Sequence, residues 1–123
     1  MIVDWTDEFD RWLDHAEKQG GQLLTVAVAL LQALTDLPAK PAGESATFKR
    51  VRHELWRVAH PFDPEVAVRI ICWFPADGEV VIALIGFDKK MIGDVFYASA
   101  AARGEALVDA WLRQKGSTDD RGR

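Results

Sequence analysis

HELWRVAHPFDPEVAVRIICWFPADGEVVIALIGFDKK, residues His53 to Lys90, decides the fold. Three strand-like runs lie in and just before it: about Arg52 to His60, about Val66 to Phe74 and about Glu79 to Phe87. Pro61 and Pro64 sit in the first gap. Proline has no N–H to give a paired central strand, so Pro61-Phe62-Asp63-Pro64 reads as a loop. Asp77-Gly78 fills the second gap and is a strong hairpin signal, because both residue types tolerate positive φ. The third run is nearly all apolar from Val80 to Ile85, where a strand with one wet face would alternate. Such a strand is expected at the centre of a sheet, covered on both faces.

The covers lie on either side of this stretch. Met1 to Trp5 reads as a short first strand. Thr6 is a good N-cap, followed by Asp7 and Glu8 in the first turn, where the helix dipole favours acids. Phe9, Trp12, Leu13 and Ala16 then recur at helical spacing until Gly20-Gly21. A second helix is expected from about Gln22 to Leu37, with Leu23, Ala27, Leu30, Leu31 and Leu34 on one face and Pro38 as its stop. Residues 38–47, PAKPAGESAT, read as a mobile connection rather than a domain boundary. After the strands a helix is expected from about Asp94 to Gln114, with Phe96, Ala100, Leu107 and Trp111 along one side. The expected order is β-α-α-β-β-β-α: an α+β domain whose mainly antiparallel sheet packs against an N-terminal helical hairpin and a C-terminal helix. Residues 1–115 form one domain on this reading, and 116–123 form a disordered polar tail.

Composition narrows the function classes. The chain has 123 residues, 49% hydrophobic and 28% charged, as a soluble globular domain does. One cysteine, Cys72, allows no internal disulfide and fits a reducing, cytoplasmic setting. No apolar run reaches spanning length, and the first residues lack the pattern of a secretory signal. The net charge of −4 argues against a general nucleic-acid coat protein. It is unevenly spread: residues 1–47 carry three basic and eight acidic side chains, while Phe48 to Arg69 holds Lys49, Arg50, Arg52, Arg57 and Arg69. A local basic patch binds phosphates even when the total is negative.

No Walker loop, GxGxxG, HExxH or GxSxG occurs, and no His, Cys or Asp cluster has metal-ligand spacing. No metal or cofactor is therefore expected. What remains is a set of cations near the sheet: Arg57, Arg69, Lys89 and Lys90, with His53 and His60 close by. Strand alternation puts His53, Leu55 and Arg57 on one face, and Arg69, Ile71 and Trp73 on one face of the next strand. A hairpin register can bring Arg57 and Arg69 together. RNA cleaves itself when its 2′-hydroxyl loses a proton and attacks the adjacent phosphorus. That needs a base, cations for the developing charge and an acid for the leaving oxygen, but no metal. Lysine serves as the base only where neighbouring cations disfavour its charged form, as Lys90, Arg57 and Arg69 would for Lys89. His53 or His60 can act at neutral pH without such neighbours. The plain alternatives are a solvated Lys89-Lys90 loop and an Arg69 salt bridge to Glu54 or a helix acid. Tryptophans 12 and 111 fit helix cores, and Trp56 and Trp73 are assigned to the core in preference to base stacking. Cys72 reads as a small buried hydrophobe.

Taken together, His53-Glu54-Leu55-Trp56-Arg57-Val58, Ala67-Val68-Arg69-Ile70-Ile71 and Ile85-Gly86-Phe87-Asp88-Lys89-Lys90 resemble the phage-derived, HigB-like branch of the RelE/ParE toxin superfamily. The resemblance spans roughly residues 4–113. It implies a RelE-like fold and the toxin of a type II toxin–antitoxin pair. The activity implied is that of a metal-independent, ribosome-dependent mRNA endonuclease (an mRNA interferase) that inhibits translation, with a helix-turn-helix antitoxin, the ribosome and mRNA as partners. By position, Arg57 would contact phosphate, Arg69 would stabilise the transition state, and Lys89 and Lys90 would hold or activate the RNA backbone. His53, His60, Tyr97 and Arg103 would contribute RNA contacts near the same cleft. Trp56 interrupts the usual glutamate-leucine-arginine run, the loop His60 to Glu65 is longer and proline-rich, and the chain is more acidic than many such toxins. Two further readings share the fold: a ParE-like gyrase inhibitor without nuclease chemistry, and a non-catalytic relative that binds a partner protein.

Overall fold

The computed structural model describes residues 1–61, 63–76 and 78–121, and of 92–98 and 115–121 the backbone alone. Its elements are β1 (Ile2–Trp5), α1 (Asp7–Gln19), α2 (Gly21–Asp36), β2 (Phe48–Arg52), β3 (Leu55–Ala59), β4 (Val68–Trp73), β5 (Val80–Asp88) and α3 (Lys89–Arg121). The strands form one sheet in the order β1-β5-β4-β3-β2. β2 to β5 are an antiparallel meander, and β1 pairs parallel with β5, so the sheet is mixed and the fold is α+β.

Local chemistry sets the first turn. The Thr6 hydroxyl accepts from the Phe9 N–H at 3.1 Å and donates to the Leu84 carbonyl at 2.8 Å, so one buried side chain caps α1 and ties it to β5. Gly20 and Gly21 both take positive φ, at 64° and 58°, which lets α2 start one residue after α1 stops. The resulting helical hairpin covers one face: Phe9, Leu13, Val26, Leu30 and Leu34 pack on Trp56, Val58, Ile70, Cys72, Val81 and Ala83. α3 covers the other, where Ala100, Leu107 and Trp111 meet Leu55, Ile71, Trp73, Ile82 and Phe87. β5 is buried from Val81 to Phe87 because it lies inside the sheet with helices on both sides. A bulge sets Ile71 opposite Ile85 but Cys72 opposite Ala83. It turns both Leu84 and Ile85 towards α3.

Three expectations need correction. The chain forms two strands around residue 53, not one, and the order is β-α-α-β-β-β-β-α. Phe48–Arg52 was hidden because KRVR reads as a charged run, yet it pairs along β3 as an edge strand, where charge is tolerated. The turn between β2 and β3 needs His53 at φ 52°, so His53 belongs to no strand face. α3 starts at Lys89, five residues before the expected Asp94, and its backbone runs to Arg121. Of the expected Asp77-Gly78 turn, Asp77 lies outside the described residues. Gly78 has φ 75° and donates its N–H to the Pro75 carbonyl at 3.2 Å.

Candidate functional site

The register gathers cations at one corner of the sheet, on the face that carries α3. Lys49 of β2 stands directly opposite Arg57 of β3. Arg57 stands opposite Ile71 and Ala59 opposite Arg69, which makes Arg57 and Arg69 diagonal neighbours on one face. Arg69 in turn faces Phe87, and one step on Val68 faces Asp88, after which Lys89 opens α3 with its N–H on the Ala67 carbonyl at 2.9 Å. Positive charge thus runs diagonally across β2, β3 and β4 to the first turn of α3, which holds no acid. Like charges directly opposite each other destabilise a sheet, and cations are unfavourable at a helix N-terminus. Asp88 already sets a carboxylate at that N-terminus, on the Lys90 N–H, so an anion lying over the row would chiefly relieve the Lys49–Arg57 repulsion.

Arg57 is the centre of this row. Its Nη2 donates to the Ala46 carbonyl at 3.1 Å, while its Nε–H is buried without a hydrogen-bond partner. Among the described residues no carboxylate forms an ion pair with Arg57 or Lys49. Arg69 is half-buried and donates through Nη1 to its own strand at the Val68 carbonyl, 3.0 Å away. Glu54, considered as its partner from sequence, instead meets Lys40 at 3.6 Å at the far end of β3.

His60 follows β3 at the same end of the sheet, half-buried, with Nδ1 2.8 Å from the Pro61 carbonyl. A carbonyl only accepts, so Nδ1 carries the hydrogen in this contact. In the neutral ring Nε2 then keeps its lone pair, the form a general base needs.

Lys90 leaves the row. Its Nζ donates to the carbonyls of Asp63 and Pro64, at 3.0 and 2.6 Å. The Asp63 carboxylate accepts from the N–H groups of Glu65 and Val66 and from the Gln22 side chain. Those backbone bonds, Val66 first, hold its carboxyl below the usual carboxylate range, with Gln22 and the Lys90 charge adding to them against some desolvation. Asp88 completes the staple by accepting from Ala67 and Lys90 N–H.

The remaining expected residues lie elsewhere. His53 is exposed, 3.8 Å from Glu105, which also binds Arg52 at 2.7 Å. His53 and Glu105 border a separate cleft of about 340 Å³ at the opposite end of β3. Arg103 bridges α3 to α1 through two contacts with Glu8, at 2.9 and 2.8 Å. The side chain of Tyr97 lies outside those described. Trp56 and Cys72 are buried, and burial pushes the Cys72 thiol far up, which removes it as a nucleophile. Among the described residues no three His, Cys, Asp or Glu side chains gather as metal ligands, and no helix is long and apolar enough to cross a membrane. Lys49 is the member of the row that sequence reading did not assign to the site. Its signal was the alternation within Phe48–Arg52, which sets Lys49 and Val51 against Phe48, Arg50 and Arg52. No family model, curated relative or solved structure matches the chain.

Proposed function

We propose that the chain is a RelE-type toxin of the HigB-like branch: a metal-independent endoribonuclease that cuts mRNA on the ribosome and is held inactive by a helix-turn-helix antitoxin. The observation that carries this reading is the Lys49–Arg57–Arg69 row ending at Lys89, with its buried, unpartnered Arg57 N–H. Lys49 facing Arg57 and the orphaned Arg57 N–H cost stability, so a ligand that needs positive charge is the economical explanation. The element order is compatible with the RelE-like fold, with one more strand than the family reading implied.

The chemistry follows from the donors. A phosphodiester along the row accepts from Arg57 and Arg69, whose forked N–H groups match phosphate oxygens, and Lys89 adds a point charge. His60 Nε2 takes the proton of the 2′-hydroxyl. O2′ then bonds to phosphorus, the P–O5′ bond breaks, and the leaving 5′-oxygen takes up a proton from water. The guanidinium groups act most strongly when the five-coordinate phosphorus carries its extra charge. The products are a 2′,3′-cyclic phosphate and a 5′-hydroxyl.

The test is cleavage of a message in a translating extract, with 5′ ends mapped. Cuts within the translated region, absent when the 2′-hydroxyl is replaced by hydrogen and absent for Arg69→Ala, support the reading. Intact messages and unchanged translation overturn it. Intact messages with altered plasmid supercoiling assign the chain to gyrase inhibition instead.

A further inference from the structure

A cleft of about 550 Å³ opens beside the cationic corner, on the α1 side of the sheet. Trp12, His15 and Gln19 of α1 form one wall, and Glu65, Asp88 and Met91 line the other. Asp88 and Met91 flank Lys89 and Lys90 in the chain, so the cleft adjoins the first turn of α3. The volume is within the range of small-ligand sites.

Trp12 is a prepared platform. Its indole lies directly on Gly86: a Cβ there would stand no more than 2.6 Å from three ring atoms. Only glycine lets the ring sit on the strand. Phe9 supports the indole from behind, with centroids 5.6 Å apart and planes tilted by 45°. Trp12 is still half-exposed, so the fixed ring presents surface to the cleft. The rim is polar but uncommitted. Among the described residues the side chains of His15, Gln19 and Glu65 have no hydrogen-bond or ion-pair partner, and all three are exposed. Met91 is 80% exposed, an apolar side chain left in water at the mouth. Asp88 accepts two backbone N–H groups on one oxygen, Oδ1, which ties that carboxylate to the backbone, whereas the exposed Glu65 carboxylate has both oxygens uncommitted.

We propose that this cleft binds a nucleobase, guanine in preference to the others, stacked on Trp12 and held by the Glu65 carboxylate. Stacking supplies sequence-tolerant affinity. A carboxylate accepts two parallel hydrogen bonds from guanine N1–H and N2–H. Adenine and cytosine present only an exocyclic amino donor on that edge, and uracil only N3–H. The inference rests on the RNA reading for its physiological ligand. The preference for guanine is a separate property, which free nucleotides can reveal.

The experiment titrates the full chain with 5′-GMP, 5′-AMP, 5′-CMP and 5′-UMP. It follows the indole N–H of Trp12 and the amides of Glu65 and Arg69 by NMR. GMP is expected to bind at least tenfold more tightly than the other three and to move the Trp12 signal. Glu65→Gln, at an exposed position that folding does not need, should remove that preference while leaving weak binding of all four. Trp12→Phe should weaken all four alike, and its spectrum reports whether the fold is kept. Equal binding of the four nucleotides, or shifts confined to the Arg69 region with Trp12 unmoved, overturns the proposal. If no message is cut but the guanine preference appears and follows Glu65, the nuclease reading fails and the base site stands. Message cutting without any base preference has the opposite meaning.

Discussion

Arg57 shows how a single position can be unfavourable for the fold and right for a site. Its side chain faces Lys49 across the strand pair and buries an N–H with no acceptor. Either feature costs of order 1 kcal/mol in a sheet, against one bond of similar size from Nη2 to Ala46. Arg57→Met keeps most of the length and removes both penalties. Its unfolding free energy in urea should be unchanged or raised by up to about 1 kcal/mol, while message cutting is lost. A clear drop in stability would mean that Arg57 is a structural residue. The facing of Arg57 and Arg69 was legible in the sequence, because alternation along a strand is geometric and needs no partner. The placing of His53 was not, since a residue at the end of a run looks like part of the strand until the turn is known. The ion pair of Arg103 was not legible for a related reason. Helical spacing gives its face on α3 but does not say that Glu8, 95 positions away, will come to meet it.

At the scale of elements, β1, both helices of the hairpin and the last three strands were readable because caps, prolines and apolar periodicity agree there. Thr6 is the clearest case, as its hydroxyl serves α1 and β5 at once. Thr6→Ala should cost about 2 kcal/mol, the sum expected for a lost cap and a buried carbonyl left without its donor. Urea denaturation measures it, and Thr6→Ser should restore most of the loss. β2 was missed because an edge strand needs only one paired side and can carry charge where a central strand cannot. The loop before β4 has an order of its own. Asp63 gathers the Glu65 and Val66 N–H groups and the Gln22 amide, and Lys90 holds the carbonyls of the same turn. A carboxyl whose folded value is lowered stabilises the fold above its unfolded value and ceases to do so as the pH falls through the lowered one. The amide signals of Glu65 and Val66 should therefore titrate below the ordinary aspartate range. An inflection at the ordinary value would show that these bonds do not persist in solution.

For the whole molecule the decisive fact is contrast. The chain carries −4 overall, with its acids concentrated in residues 1–47, yet one corner presents Lys49, Arg57, Arg69 and Lys89 on adjoining elements. On the RNA reading, an acidic body disfavours a polyanion elsewhere and directs it to that corner. The salt dependence of affinity for a short single-stranded RNA counts its contacts. Each phosphate neutralised contributes a slope of about −0.7 to log Kobs against log salt, so four contacts should give about −3. Alanine at Lys49 or Arg57 should lower the slope by about 0.7 each, with the fold intact. Lys90→Ala should behave differently, because its ammonium is spent on the Asp63 and Pro64 carbonyls. It should leave the slope nearly as it was and disturb the Glu65 and Val66 amides instead. A slope near zero would mean that the row holds no phosphate, and a loss of slope in Lys90→Ala equal to that in Arg57→Ala would put Lys90 back among the groups that bind.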